Sequence, residues 1–278
     1  MAARRLTTFT RDGLVFDVRD EGPLDGAPVV LLHGFPQDSR SWDAVASLLH
    51  ARGFRTLSPD LRGASPGARP RSRWAYRSTE LTDDVVALIA QAGVGPVHLV
   101  GHDWGAAAAW WVAGRRPDLV RTLTAVSVPH PTAFARSLLT SRQALLSWYM
   151  LVFQLPMAPE RLFGDETRAR RAFLRGGMTR EVADRDLAPM RERSRARGGL
   201  NWYRAIPFTP FWRPAERITV PTLYVWSDGD IALGRTAAEL TGRYVDGPYR
   251  FEVLAGVSHW IPDEAPQRLV DLLVPHLG

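Results

Sequence analysis

The sequence contains no cysteine, which excludes disulfide bonds, thiol nucleophiles and cysteine-ligated metal sites. It also contains no lysine, so all 35 basic residues are arginine. The formal net charge of +6 invites a nucleic-acid partner, but acidic residues interrupt the densest basic region, residues 168–197, and no nucleic-acid motif is present. We interpret this region as the solvated faces of helices and expect no nucleic-acid partner.

Long apolar runs are missing as well. No uncharged stretch reaches the length of about 20 residues that crosses a bilayer, although residues 145–156 are strongly apolar. The first residues are followed by no apolar run typical of a secretory signal. We therefore expect a cytoplasmic protein with no membrane partner. The 278 residues are enough for one large core with a smaller appended region, and a homodimer stays open.

Short apolar segments alternate with amphipathic ones along most of the chain. Strands are predicted at residues 6–10, 14–19, 29–32, 55–58, 97–100, 120–128, 221–226 and 250–254. Helices are predicted at residues 42–51, from Ser78 or Thr79 to Gly93, after Gly105, near 236–243 and at 266–276. Such alternation predicts an α/β fold with a doubly wound, mostly parallel sheet.

The alternation stops between residues 131 and 216, where only helix-like segments occur. We interpret this stretch as a helical cap over the carboxyl edge of the sheet. The predicted domains are a core of residues 1–129 and 217–278 and a cap of residues 130–216 inserted in it.

The segment Gly101-His102-Asp103-Trp104-Gly105 follows a predicted strand and precedes a predicted helix. Gly-x-Asp-x-Gly at that place is typical of a nucleophile elbow, with Asp103 where a serine is more usual. A carboxylate beside a helix N-terminus is ionised at neutral pH and can attack carbon. The alternative is an aspartate that only caps the helix. The side chain of His102 is expected to point away.

An ester formed on Asp103 needs a base that activates water and an acid that orients this base. His259, in the loop after the last predicted strand, is the best candidate base because it reaches the sheet edge of the elbow. Asp228 and Asp230 both follow the strand before it, and the chain order nucleophile, acid, histidine is typical of hydrolases. We prefer Asp230, because Gly229 turns the chain and Asp228 can serve that turn.

Hydrolysis of an ester also needs donors for the oxyanion. The backbone amides of Phe35 and Trp104 are placed for this role, one after the strand at residues 29–32 and one after Asp103. The Phe35–Pro36 bond is a candidate for a cis peptide.

Taken together, His33-Gly34-Phe35-Pro36, the elbow, residues 226–230 and Ser258-His259-Trp260 resemble the epoxide hydrolases of the α/β-hydrolase fold, which are close to the haloalkane dehalogenases. The resemblance implies an eight-stranded, mostly parallel sheet with helices on both faces, a helical cap, and no cofactor or metal. It also implies that two cap tyrosines, Tyr149 and Tyr203, donate hydrogen bonds to the epoxide oxygen.

The chemistry of the tyrosines agrees with this resemblance. Epoxide opening leaves a basic alkoxide, and a phenol with a pKa of about 10 keeps a proton to give it. The nearest alternative activity is haloalkane dehalogenation, in which relatives pair the tryptophan after the nucleophile with Asn or Trp after His-Gly. Phe35 occupies that position here, which counts against a dehalogenase. A non-catalytic small-molecule receptor on the same fold is a further alternative.

Aromatic residues around the predicted cap suggest an apolar or aromatic epoxide. The predicted substrate contacts are Phe35, Trp104, Trp148, Phe153 and Trp260, and further aromatic residues of the region are Trp202, Phe208, Phe211 and Trp212. Packing inside the cap explains these residues equally well.

Overall fold

The computed structural model of the protein describes residues 4–209 and 215–278. Its strands form one eight-stranded sheet in the order β1-β2-β4-β3-β5-β6-β7-β8. They are β1 (Thr8–Arg11), β2 (Leu14–Glu21), β3 (Pro28–Leu32), β4 (Arg55–Pro59), β5 (Val97–His102), β6 (Val120–Val126), β7 (Thr222–Ser227) and β8 (Tyr249–Leu254). β2 is antiparallel to β1 and β4, and the other neighbours are parallel. The predicted mostly parallel sheet is confirmed.

The described α-helices are α1 (Asp43–His50), α2 (Ser78–Ala92), α3 (Trp104–Arg115), α4 (Pro131–Thr140), α5 (Gln143–Leu146), α6 (Trp148–Phe153), α7 (Ala158–Gly164), α8 (Glu166–Arg175), α9 (Arg180–Leu187), α10 (Arg193–Arg204), α11 (Arg235–Leu240), α12 (Ile261–Glu264) and α13 (Pro266–Leu277). Predicted strand bounds differ from these by at most two residues. Among the described helices, none combines the length and hydropathy needed to cross a membrane.

The two faces of the sheet carry separate apolar cores. On one face, α2 and α3 pack buried residues such as Leu88 and Val112 against Leu99 of the central strand. On the other face, α1 and α13 pack residues such as Leu49 and Leu273. Because β3, β5 and β6 are covered on both faces, almost all of their residues are buried and apolar residues predominate, which is why the sequence pattern located them.

Helices α4–α10 separate β6 from β7 in the chain, and we call residues 131–209 the helical insert. The described residues between these two strands include no strand. Aromatic contacts join the insert to the core, since Trp202 and Tyr203 of α10 lie with ring centroids 5.9 and 5.1 Å from that of Trp104. The insert therefore packs over the carboxyl end of β5.

Candidate active site

Asp103 occupies a strained turn between β5 and α3. Its φ of 51° is unusual for a residue with a side chain, and such strain is found mainly at functional sites. The glycines on either side make the turn possible. A Cβ on Gly105 would lie 2.1 Å from the carbonyl oxygen of Leu32, and one on Gly101 would lie 2.3 Å from that of Gly105. Only glycine lets strand and helix approach this closely.

The carboxylate of Asp103 lies between a backbone donor and an imidazole. The N–H of Phe35 donates to Oδ1 at 2.8 Å, and Nε2 of His259 lies 3.6 Å from Oδ2. Burial opposes ionisation, but the positive charge of His259 and the hydrogen bond from the Phe35 N–H outweigh it and lower the pKa of Asp103. The side chain is therefore held as a carboxylate at neutral pH. The Phe35–Pro36 peptide is cis.

Trp104 is the first residue of α3, so its backbone N–H has no acceptor within the helix. It follows Asp103 directly, at the positive end of the helix dipole. The amides of Phe35 and Trp104 thus come from two different segments, the loop after β3 and the first turn of α3.

His259 is held by the second carboxylate of the loop after β7. Oδ2 of Asp230 lies 2.7 Å from Nδ1 of His259, and Oδ1 of Asp230 accepts the N–H groups of Ala232 and Leu233 at 2.8 and 2.9 Å. Asp228 instead accepts the N–H of Gly256 at 2.7 Å. Of the two candidates, only Asp230 contacts the imidazole in this structure.

Two carboxylates therefore face one buried imidazole. Burial would lower the pKa of His259, but the charges and hydrogen bonds of Asp230 and Asp103 outweigh it and raise this pKa to about 10. The resting site accordingly contains an imidazolium between two carboxylates, with one net negative charge. His259 becomes neutral, and so able to act as a base, only when one of these two negative charges is removed.

Tyr149 and Tyr203 come from different helices of the insert, α6 and α10, and line the same cavity as Asp103. Their ring centroids are 6.0 Å apart. Burial and the negative charge of Asp103 raise the pKa of both phenols above the usual 10. Both hydroxyls keep their protons at neutral pH and can donate hydrogen bonds.

The cavity has a volume of about 580 Å³ and contains Asp103, His259 and both tyrosines in its wall. Most of the remaining wall is apolar and comes from α3, α4 and α10; it includes Trp104, Ala107, Trp111, Phe134, Leu138 and Trp202. Besides the residues around Asp103, the wall contains a few polar side chains: Ser78, Arg115, Thr132, Thr209 and Glu216.

The predicted substrate contacts divide into two groups. Trp104 lies in the cavity wall, whereas the rings of Phe35, Phe153 and Trp260 pack behind it, the first two against Tyr203. The contact of these three rings with a substrate stays a prediction, and the backbone of Phe35 reaches Asp103.

The prediction for Trp148 is wrong, since its side chain is 63% exposed and outside the cavity wall. Neighbouring residues of a helix point in different directions, and in α6 Tyr149 is the one that faces inward. Phe208 stacks on Trp74 with centroids 4.0 Å apart rather than facing the cavity. The predictions for Phe211 and Trp212 lie outside the described residues.

Sequence reasoning missed a polar group behind the catalytic loops. His102 does not simply point away from the site: its Nε2 lies 2.9 Å from the carbonyl oxygen of His259, and its Nδ1 lies 3.2 Å from Oε1 of Gln37. Ser127 donates to the same carbonyl at 2.9 Å. A strand-end histidine next to the nucleophile was the only local signal for this group. Among the described residues, no cluster of three or more His, Asp or Glu could hold a metal ion.

Comparisons with known proteins agree with this geometry. A family model for the alpha/beta hydrolase fold matches residues 27–266. The chain is 32% identical to epoxide hydrolase A of Mycobacterium tuberculosis, and the matched region covers 91% of each chain. It is similar to the crystal structure of epoxide hydrolase A from Mycobacterium thermoresistibile, with a TM-score of 0.84, 29% identity and 97% of each chain covered.

A second similar structure is a mutant of an epoxide hydrolase from Bacillus megaterium in complex with its product, a naphthyloxy-propanediol. Its TM-score is 0.86 at 26% identity, with 97% of this chain and 99% of that chain covered.

Proposed function

Because this chain belongs to the epoxide hydrolases of the α/β-hydrolase fold family, we propose that it converts an epoxide to a vicinal diol through a covalent ester on Asp103. One observation carries the proposal. An ionised carboxylate on a strained elbow faces two protonated phenols across a cavity, with a histidine and a backbone donor at its side. Nucleophile, acid, base and oxyanion donor are thus all within one site.

The first step is alkylation of the carboxylate. An oxygen of Asp103 attacks a ring carbon, the C–O bond of the epoxide breaks, and the ring oxygen takes a proton from Tyr149 or Tyr203. The high pKa of both phenols supports this assignment, since they retain the proton until the alkoxide forms. The products of this step are a neutral ester and a tyrosinate.

Ester formation changes the charge around His259. The ester has lost the carboxylate charge of Asp103, one of the two charges that raise the pKa of the imidazole. The imidazolium then returns the tyrosine's proton and becomes a neutral base, still oriented by Asp230. Neutral His259 is therefore formed only after alkylation, as a consequence of the charge that the ester has lost.

In the second step, neutral His259 takes a proton from water, and the hydroxide attacks the ester carbonyl carbon. The N–H groups of Phe35 and Trp104 stabilise the oxyanion, and Phe35 already donates to Oδ1 in the resting site. Collapse of the tetrahedral intermediate breaks the bond between this carbon and the alkyl oxygen. The alkoxide takes the proton from His259 and leaves as the diol. The carboxylic acid that remains on Asp103 passes its proton to His259, which restores the carboxylate and the imidazolium of the resting site.

We further propose that residues 130–216 are a cap, residues 1–129 and 217–278 the core, and that the substrate binds between them. The apolar wall supports a small apolar or aromatic epoxide. The expected cytoplasmic location stays a prediction.

Purified protein tests the proposal with a panel of aliphatic and aromatic epoxides and, in parallel, chlorinated and brominated alkanes. We expect diol formation and little halide release, because an alkoxide needs the two phenols whereas a halide needs only weak donors. Halide release faster than diol formation would favour the dehalogenase, and binding without any turnover would favour the receptor.

A further inference from the structure

Gln37 lies two residues after Phe35, and only 1% of it is exposed. Its amide contacts three polar groups at once: Nδ1 of His102 at 3.2 Å, Oδ2 of Asp186 at 3.2 Å and Oδ2 of Asp263 at 2.7 Å. Asp186 lies in α9 of the insert, whereas Asp263 lies in α12 of the core. One side chain thus connects the insert, the core and the residue that precedes the nucleophile.

The backbone of the same segment is held from the insert by Arg195 of α10, which is 2% exposed. Its Nη2 donates to the carbonyl oxygens of Pro36 at 3.0 Å and Gln37 at 2.5 Å, and its Nη1 donates to that of Gly63 at 3.4 Å. Among the described residues, all its hydrogen bonds go to backbone carbonyls. A buried cation bound in this way contributes mainly to where that backbone lies.

Hydrogen-bond donors and acceptors determine how the group is connected. Nε2 of His102 faces the carbonyl oxygen of His259 at 2.9 Å. Burial and the positive charge of His259 keep the second proton off by lowering the pKa of His102 to about 4. In the structure Oε1 of Gln37 faces Nδ1 of His102 at 3.2 Å, and the NH₂ group faces Asp186 and Asp263.

Nε2 of Gln37 donates to two carboxylates, to Oδ2 of Asp263 at 2.7 Å and to Oδ2 of Asp186 at 3.2 Å. Asp263 also accepts a hydrogen bond from Arg185 at its Oδ1, at 2.8 Å, and burial raises its pKa to about 6. Asp186 is paired with Arg185 through both of its oxygens. A continuous chain of polar contacts then runs from Asp263 through Gln37 and His102 to the backbone of His259.

We propose that Gln37 is a positioning residue for ester hydrolysis. It connects the loop that carries the Phe35 N–H to the loop that carries His259, and Arg195 anchors the first of these loops to the insert. These contacts fix the positions of the Phe35 N–H and of His259 relative to the ester on Asp103. This inference rests on the proposed function.

A substitution of Gln37 separates this role from a general loss of structure. Gln37→Met keeps an unbranched side chain of similar length but removes every side-chain hydrogen bond. Alkylation depends on the Asp103 carboxylate and the phenols, so we expect it to continue at nearly the wild-type rate. Hydrolysis should slow at least about tenfold, a fraction of the ~10²–10³ that loss of a whole oxyanion donor costs. kcat and KM then fall together, and kcat/KM is retained.

Two further variants complete the experiment. Arg195→Lys keeps the charge but lacks the fork that reaches two carbonyls, so it should change kcat and KM in the same direction by a smaller factor. Gln91→Met is the matched control, because among the described residues Gln91 exchanges hydrogen bonds only with the backbone of Thr10 in β1. We expect it to behave as wild type.

Steady-state kinetics and intact-mass spectrometry of a single-turnover mixture decide the outcome. Accumulated ester in Gln37→Met, with kcat/KM retained, supports the proposal. Equal losses in kcat and kcat/KM, or wild-type kinetics, would overturn it, and Arg195→Lys decides by the same criteria if Gln37→Met does not fold. If wild type itself forms no ester with any substrate it turns over, the proposed function has failed instead.

Discussion

Replacing Asp230 with asparagine tests how His259 is oriented. In the structure Oδ1 of Asp230 accepts two backbone N–H groups, from Ala232 and Leu233, while Oδ2 accepts Nδ1–H of His259. An asparagine has one oxygen, and the two N–H groups hold it in the Oδ1 position. Its NH₂ must then donate to Nδ1, which forces the proton of neutral His259 onto Nε2, the atom that faces Asp103.

With Nε2 protonated, His259 cannot take a proton from water. The same exchange of carboxylate for amide in the triad of a serine protease lowers kcat by ~10⁴ through the wrong tautomer. At 1.36 kcal/mol for each factor of ten, this is about 5 kcal/mol of transition-state stabilisation. We expect a loss of this order in the ester-hydrolysis rate of Asp230→Asn.

Asp228→Asn is the matched control. The carboxylate of Asp228 accepts one hydrogen bond, from the N–H of Gly256, and an asparagine oxygen can accept it as well. At most a bond of about 1 kcal/mol is weakened, so the rate should fall less than about tenfold. Rapid-quench single-turnover measurements on both variants give the hydrolysis rate directly. If Asp228→Asn were the severe variant and Asp230→Asn the mild one, the assigned orienting acid would be wrong.

Two other predictions concern the phenols and the imidazolium. Tyr203→Phe and Tyr149→Phe should each slow alkylation ~10²-fold, which is the low end of general acid catalysis, and pre-steady-state fluorescence measures this rate. Tyr249→Phe is the control, because its hydroxyl has no partner among the described residues, and it should alkylate at the wild-type rate. Equal rates in all three variants would remove the tyrosines from the reaction. Folding raises the pKa of His259 from 6.5 to about 10, so protonated His259 stabilises the folded state. This contribution is complete below pH 6.5 and is lost as the pH rises through about 10. Urea unfolding at a series of pH values should show this fall in wild type and much less of it in His259→Gln; identical profiles would contradict the assigned pKa.

The sequence was most informative where a residue's role depends on its immediate neighbours. Gly101 and Gly105 indicated the elbow because close packing of strand and helix excludes any side chain there. Runs in which apolar residues predominate indicated the strands because both faces of the sheet are covered. Gly229 pointed to Asp230 rather than Asp228 because a turn lies between the two carboxylates.

Contacts between distant segments could not be predicted in this way. The amide of Gln37 meets Asp186 and Asp263, which are 149 and 226 residues away along the chain. None of the three segments has a local pattern that indicates a partner. The error at Trp148 has a related cause, since α6 has only six residues and too few turns for a pattern to distinguish its inner from its outer face.

The covalent ester is the central claim, and His259→Gln tests it most directly. This variant retains Asp103 and both phenols but lacks the base, so alkylation should proceed and hydrolysis should stop. The test is intact-mass spectrometry of the variant with an epoxide that wild type turns over. We predict a mass increase equal to the substrate, mapped to the peptide that contains Asp103 and absent from Asp103→Asn. No adduct in His259→Gln, together with full incorporation of heavy oxygen from water into the first diol formed by wild type, would mean direct attack by water and would contradict the account.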